Sequence, residues 1–200
     1  MCSFTISNKE IDLHDTNYFS QKRGPDLTNI VEVNGISILH NLLQITGEPT
    51  AQPIIDGDMV CVMNGEIYNY KSFGDYESDA LCIIPLYREF GMEFAKKLDG
   101  EFAIVIIDFE KDELFLINDV FATKPLWVQS NYGIDDKFTV ASYESSVKKS
   151  GFDNAFRMWG NYIWNFRLST MEQLGSMELV EFDINQHKDS YDDWIHAFEN

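Results

Sequence analysis

Two hundred residues, 44% hydrophobic and 14% aromatic, are enough to bury a sizeable core in one domain and exclude a disordered chain. With 33 acidic against 15 basic residues the net charge is −18, which excludes nucleic acid and anionic membrane as partners. The longest apolar run, residues 102–107, is too short to cross a bilayer, and Lys9, Glu10 and Asp12 argue against a signal peptide. Three cysteines (Cys2, Cys61, Cys82) without metal spacing predict a reducing, cytoplasmic setting and no disulfide framework.

In chain order, residues 2–7 read as a short strand in which Phe4 and Ile6 alternate with polar neighbours. The following fifteen residues are polar and loop-like, and Lys22-Arg23-Gly24-Pro25-Asp26 is a turn. Residues 30–33 and 36–39 flank Asn34-Gly35, a strong hairpin signal. Residues 59–63 form an unbroken apolar run of strand length, which breaks at Asn64-Gly65-Glu66. On local grounds that tripeptide is either an Asn-Gly turn or a polar site at the mouth of a buried strand. Ser78 can cap a helix running to Phe90 and closed by Gly91, with Pro85 predicting a kink or an early break. A second, short helix is predicted over residues 92–98. Strands are expected at 101–108 and 113–118, then at 124–128 and 138–141 around Asn131-Tyr132-Gly133, and again at 161–168 and 178–183. Residues 191–199 read as an amphipathic helix with Trp194, Ile195 and Phe198 on one face. Hairpins, two helices, then further hairpins define an α+β domain of antiparallel sheets with helices laid on them.

Three motifs stand out against this background. Cys2 directly follows Met1, residues 64–69 read Asn-Gly-Glu-Ile-Tyr-Asn, and residues 23–26 read Arg-Gly-Pro-Asp. As an ordered set they resemble the class II glutamine amidotransferase domain, most closely that of asparagine synthetases, over about residues 2–185. The resemblance implies the four-layer αββα sandwich of N-terminal nucleophile hydrolases, with residues 186–200 a C-terminal linker and helix. It also implies glutamine hydrolysis to glutamate and ammonia through a thioester on Cys2.

An amidase needs a nucleophile, a base and donors aimed at the oxyanion. If Met1 is removed, the Cys2 thiol is the nucleophile and its own α-amine, of ordinary pKa about 7.7–8.0, is the base. By resemblance, the Asn64 side chain and the Gly65 N–H form the oxyanion hole, and Glu66 and Asp79 receive the substrate's α-ammonium group. Asp79 also has a simpler reading as an acid in a helix's first turn, facing the dipole. No metal and no cofactor are expected. Asp183, Asn185, His187 and Asp189 echo a calcium loop, but Lys188 stands where that loop needs glycine.

Some positions depart from the pattern. Ser3 stands where glycine usually follows the nucleophile. Leu42, in His40-Asn41-Leu42-Leu43-Gln44, occupies the place of the arginine that binds the glutamine carboxylate. In residues 118–126, Asn118 replaces Arg and Ala122 replaces Gly. The chain lacks the ATP-binding signature of a synthetase domain and ends near where one would begin. The expected partner is therefore a separate ATP-dependent, synthetase-like ammonia acceptor. The alternative is a catalytically weak binding or regulatory module that keeps the fold.

Overall fold

The computed structural model describes residues 2–45, 48–182 and 190–199. Among the described residues, twelve strands form two six-stranded antiparallel sheets. The first sheet contains β1 (Ser3–Ser7), β2 (Leu27–Val33), β3 (Ile36–Leu42), β8 (Trp127–Ser130), β9 (Phe138–Ala141) and β10 (Phe156–Arg157), in the order β10-β8-β9-β1-β3-β2. The second contains β4 (Ile54–Asp56), β5 (Met59–Ile67), β6 (Gly100–Asp108), β7 (Glu113–Asn118), β11 (Tyr162–Arg167) and β12 (Gln173–Glu178), in the order β12-β11-β7-β6-β5-β4.

The unbroken apolar runs of β5, β6 and β7 exist because both faces of the second sheet are covered. Val60, Val62, Val105 and Leu116 meet Phe4, Ile6 and Ile38 of the first sheet. Cys61, Met63, Ile104 and Ile117 face the opposite way, onto Ile83, Ile84 and Tyr87 of α2 (Ile83–Phe90) and Phe94 beyond it. The outer face of the first sheet carries α1 (Leu13–Asn17) and α3 (Glu144–Lys149), with Val147 and Phe152 packed on Ala141. The result is the four-layer αββα sandwich. Each fully buried Ile, Val or Phe contributes on the order of 1.5–3 kcal/mol by leaving water.

Several elements differ from the sequence expectation. The run at residues 59–63 does not break at Asn64. β5 continues to Ile67 because β6 accompanies it in continuous register, from Met59↔Asp108 to Ile67↔Gly100. The helix predicted from Ser78 is a 3-10 turn (Asp79–Cys82) followed by α2. Pro85 sits in the first turn of α2, where its missing N–H costs no intrahelical bond, so no kink is needed there. Ser78 does not cap this turn; its hydroxyl bonds the Asp79 carboxylate at 3.3 Å. The second helix is a 3-10 segment, Gly91–Lys97.

In the stretch expected to be loop, Asp12 caps α1 by accepting from the Asp15 N–H at 3.0 Å. This helix and the 3-10 turn Ser20–Arg23 pack through polar residues: Ser3 Oγ donates to Ser20 O at 2.8 Å, and Asn17 Nδ2 to Asn41 Oδ1 at 3.1 Å. With no apolar stripe there was no periodicity to read. Ser3, Thr5 and Ser7 of β1 are buried too, and Ser7 Oγ donates to the Phe138 carbonyl at 3.0 Å.

The closing strand lies earlier than residues 178–183, at β12, where Tyr162 pairs with Glu178. Asn161 ends the pairing by taking the N–H groups of Leu179 (on its carbonyl, 3.0 Å) and Val180 (on Oδ1, 2.9 Å). Helix α4 (Asp192–Glu199) forms as expected, with Ile195 and Phe198 exposed. Residues 183–189, including the calcium-like spacing, lie outside the described residues.

Candidate active site

The site is assembled where β1 begins and β3 and β5 end. Cys2 immediately precedes β1. Its Sγ lies 3.4 Å from the Leu43 N–H, which donates to it, and 3.8 Å from the Leu43 carbonyl. Burial pushes the thiol above its ordinary pKa. The Leu43 N–H opposes that rise, and the charges of Glu66 and Asp79 add to it. A thiol so placed is protonated at neutral pH and needs a base to become a nucleophile.

Along β5, Val60 and Val62 face the first sheet, so alternation puts Asn64 and Glu66 on that same face, toward β1. Asn64 is buried, and its Oδ1 has no hydrogen-bond partner among the described residues.

Gly65 lies opposite Phe102, and a Cβ there would sit 2.1 Å from the Glu101 carbonyl oxygen and 2.6 Å from Phe102 Cα. Only glycine permits that approach. Phe102 turns both of its backbone groups toward Asp119. Its N–H donates to Asp119 Oδ2 at 3.0 Å, and its carbonyl accepts from the Asp119 N–H at 3.0 Å. The Gly65 N–H therefore points away from β6, off the edge of the sheet. Its neighbours two residues either way point with it. Met63 N–H donates to Gln52 Oε1 at 2.6 Å, and Ile67 N–H to Asp79 Oδ2 at 2.9 Å. β4 pairs only as far as Cys61, so no strand among the described residues covers this row. Among the described residues the Gly65 N–H has no partner.

Asp79 opens its 3-10 turn with Oδ1 on the Ala80 N–H at 2.9 Å, so it holds the turn's start and β5 together. Burial raises its pKa against these hydrogen bonds.

Cys2, Gly65, Glu66 and Asp79 line one cleft together with Leu42, Leu43, Gln52 and Ser78. Asn64 is adjacent but does not line it. The cleft is narrow, with a cavity volume of about 30 Å³. Gln52 and the Leu43 backbone were missed as site groups. The Gln-Pro at 52–53 was the one available signal. A larger apolar groove of about 470 Å³, lined by Phe156, Trp159 and Trp164 among others, contains none of the predicted site residues.

The segment after β7 is held by Asp119, which also accepts from the N–H groups of Phe121 (2.9 Å) and Thr123 (3.0 Å). Buried Lys124 pairs with Glu101 at 2.7 Å beside the Gly65 contact. Ala122 has φ +47°, a left-handed conformation that costs a residue with a Cβ about 1–2 kcal/mol and explains the glycine of the related pattern.

An antiparallel αββα sandwich with a cysteine leading a central strand is the architecture of class II amidotransferases. A solved glutamine phosphoribosylpyrophosphate amidotransferase from B. subtilis shares this fold, with a TM-score of 0.69 at 15% identity, over 91% of this chain and 50% of that one. The chain belongs to the glutamine amidotransferase domain family, whose model matches residues 1–158. It is 37% identical over 117 residues to a probable glutamine-hydrolysing asparagine synthetase of Schizosaccharomyces pombe, a match covering 52% of this chain and 21% of that protein. It is 32% identical over 148 residues to asparagine synthetase B of Escherichia coli, covering 64% of this chain and 27% of that protein. The matches thus span about a fifth to a quarter of these relatives' length. No helix among the described residues is long and apolar enough to cross a membrane.

Proposed function

We propose that this domain hydrolyses the side-chain amide of glutamine and passes the ammonia to an ATP-dependent, synthetase-type acceptor. The observation that carries the reading is the unpartnered Gly65 N–H, aimed into the cleft that the Cys2 thiol lines. Once Met1 is removed, the α-amine of Cys2 takes the thiol proton as sulfur attacks the amide carbon. The negative charge that develops on the amide oxygen falls to the Gly65 N–H and the Asn64 side-chain amide. The C–N bond breaks, the amine returns its proton to the leaving nitrogen, and ammonia departs. Water then cleaves the thioester to glutamate and free thiol. Glu66 and Asp79 hold the substrate's ammonium group. Residues 2–185 form the catalytic unit and residues 186–200 the connection to the acceptor.

Steady-state release of glutamate and ammonia from glutamine, in protein beginning at Cys2, tests this. Turnover that vanishes in Cys2→Ala is the expected result. Equal turnover in that variant refutes the thioester route. The tightness of the cleft and the raised thiol favour one other reading, a module that binds its ligand with little turnover. Saturable glutamine binding without ammonia release would identify it.

A further inference from the structure

The walls of the cleft have an unequal charge. Glu48, Glu66 and Asp79 line it, and none of its described lining residues is Lys, Arg or His. The nearby His40 supplies no cation either, because burial holds its imidazole down at about 4 and hence neutral. Leu42, 8% exposed, presents an apolar side chain on the same wall. Such a wall attracts an ammonium group and offers no side-chain cation to a carboxylate; the N-terminal amine beside Cys2 must be neutral to serve as the base, so it cannot serve as that counter-charge as well. Free glutamine brings both groups. The Thr50 and Ser78 hydroxyls, which donate to the Glu48 carbonyl at 3.1 Å and to the Asp79 carboxylate at 3.3 Å, are left as acceptors for the N–H groups of an amide.

We propose that the cleft selects a glutamine unit whose α-amine is free and whose α-carboxyl is masked as an amide. The chemical class is a glutaminamide, either as a small molecule or as the first residue of a peptide. The inference rests on the reading of this cleft as the amide-hydrolysing site and shifts its preferred substrate from free glutamine to the α-carboxamide. Leu42 is then a specificity-determining residue: an apolar group at this position favours the uncharged carboxamide over the carboxylate.

Binding is measured by calorimetry on the whole chain carrying Cys2→Ala, so that affinity is read without turnover. The probes are L-glutamine, L-glutaminamide, glutaminyl-glycinamide and N-acetyl-L-glutaminamide. Glutaminamide is expected to bind at least tenfold more tightly than glutamine, and acetylation of the amine to abolish binding. Equal or tighter binding of glutamine overturns the proposal, as does the absence of binding by all four. Glutaminyl-glycinamide separates the two sources. Affinity matching glutaminamide assigns a peptide terminus, and exclusion assigns the small amide. Ammonia release by the unmutated enzyme is scored separately. If the binding order holds and no ammonia appears, the hydrolytic reading fails while the selectivity stands.

Discussion

Replacing Gly65 by alanine tests the strand contact and the proposed oxyanion donor together. The added Cβ would lie 2.1 Å from the Glu101 carbonyl oxygen, and that atom belongs to backbone that cannot rotate aside. To restore ordinary contact, β5 and β6 must part by about 1 Å at this point. Overpacking of this kind costs roughly 1–3 kcal/mol, which lowers the Tm of a domain this size by about 2–12 °C. The displacement also moves the Gly65 N–H, and a misplacement of about 1 Å costs roughly 100-fold in rate. That factor is worth about 2.7 kcal/mol, the lower end of what removal of one oxyanion donor costs. Thermal melts and glutamine-dependent ammonia release on Gly65→Ala measure the two effects separately. A lowered Tm with unchanged kcat keeps the packing argument and removes the N–H from catalysis. Unchanged Tm and unchanged kcat refute both.

Leu42→Arg adds the missing counter-charge and should lower the KM for glutamine by roughly 10- to 150-fold, the worth of a charge-assisted hydrogen bond; an unchanged KM means that the position does not meet the carboxylate. Protein that retains Met1 should release no ammonia, since its α-amine is no longer on Cys2; intact-mass analysis beside the assay checks this, and full activity with Met1 present removes the amine from the mechanism. His40, held down at about 4 from an ordinary 6.5, is neutral in the native state while the unfolded chain takes up a proton as the pH falls. Its stability contribution is therefore complete above pH 6.5 and is lost on acidification toward pH 4, by about 3 kcal/mol. Tm against pH for the unmutated protein and for His40→Gln tests this, and a constant difference between them from pH 7 to 4 contradicts it. Deletion of residues 187–200 should leave Tm and ammonia release unchanged, because Tyr191, Ile195 and Phe198 of that segment are exposed; a large fall in Tm would mean that the helix packs on its own domain.

The layers and most strands were legible because their signals are local. Asn34 and Gly35 have φ +49° and +78°, the values a two-residue hairpin loop requires, and the dipeptide announces them. The double burial of β5 and β6 shows as continuous apolar runs. What stayed hidden depends on partners distant in sequence. Asn64-Gly65 looks like a turn until β6 is laid beside it, because the pairing to Ala103 and Phe102 is 37 or more residues away. α1 packs through Asn17, Ser20 and Asn41, and a polar interface has no hydrophobic period. Among the candidate site residues, the Asn64 to Asp79 set was readable as a motif. The Leu43 backbone was not, since any residue type supplies an N–H.

The proposed chemistry falls at this edge of the sandwich for a reason the sheet itself supplies. An edge strand exposes a row of N–H groups that must find acceptors or water. β4 covers β5 only to Cys61 and leaves the N–H groups of Met63, Gly65 and Ile67 facing outward. Gln52 and Asp79, both buried, fix the first and third of these with side-chain oxygens and so hold the strand rigid on either side of the second. A donor pinned this way needs no reorganisation when charge develops in front of it, which is the condition for strong electrostatic stabilisation. The glycine that lets β6 approach and the two acceptors that immobilise its neighbours therefore belong to one device. Its dependence on Asp79 explains why that residue is tied to the Ile67 N–H as well as facing the cleft. A ligand ammonium group at Asp79 would thus bind to the same carboxylate that fixes the strand bearing the donor.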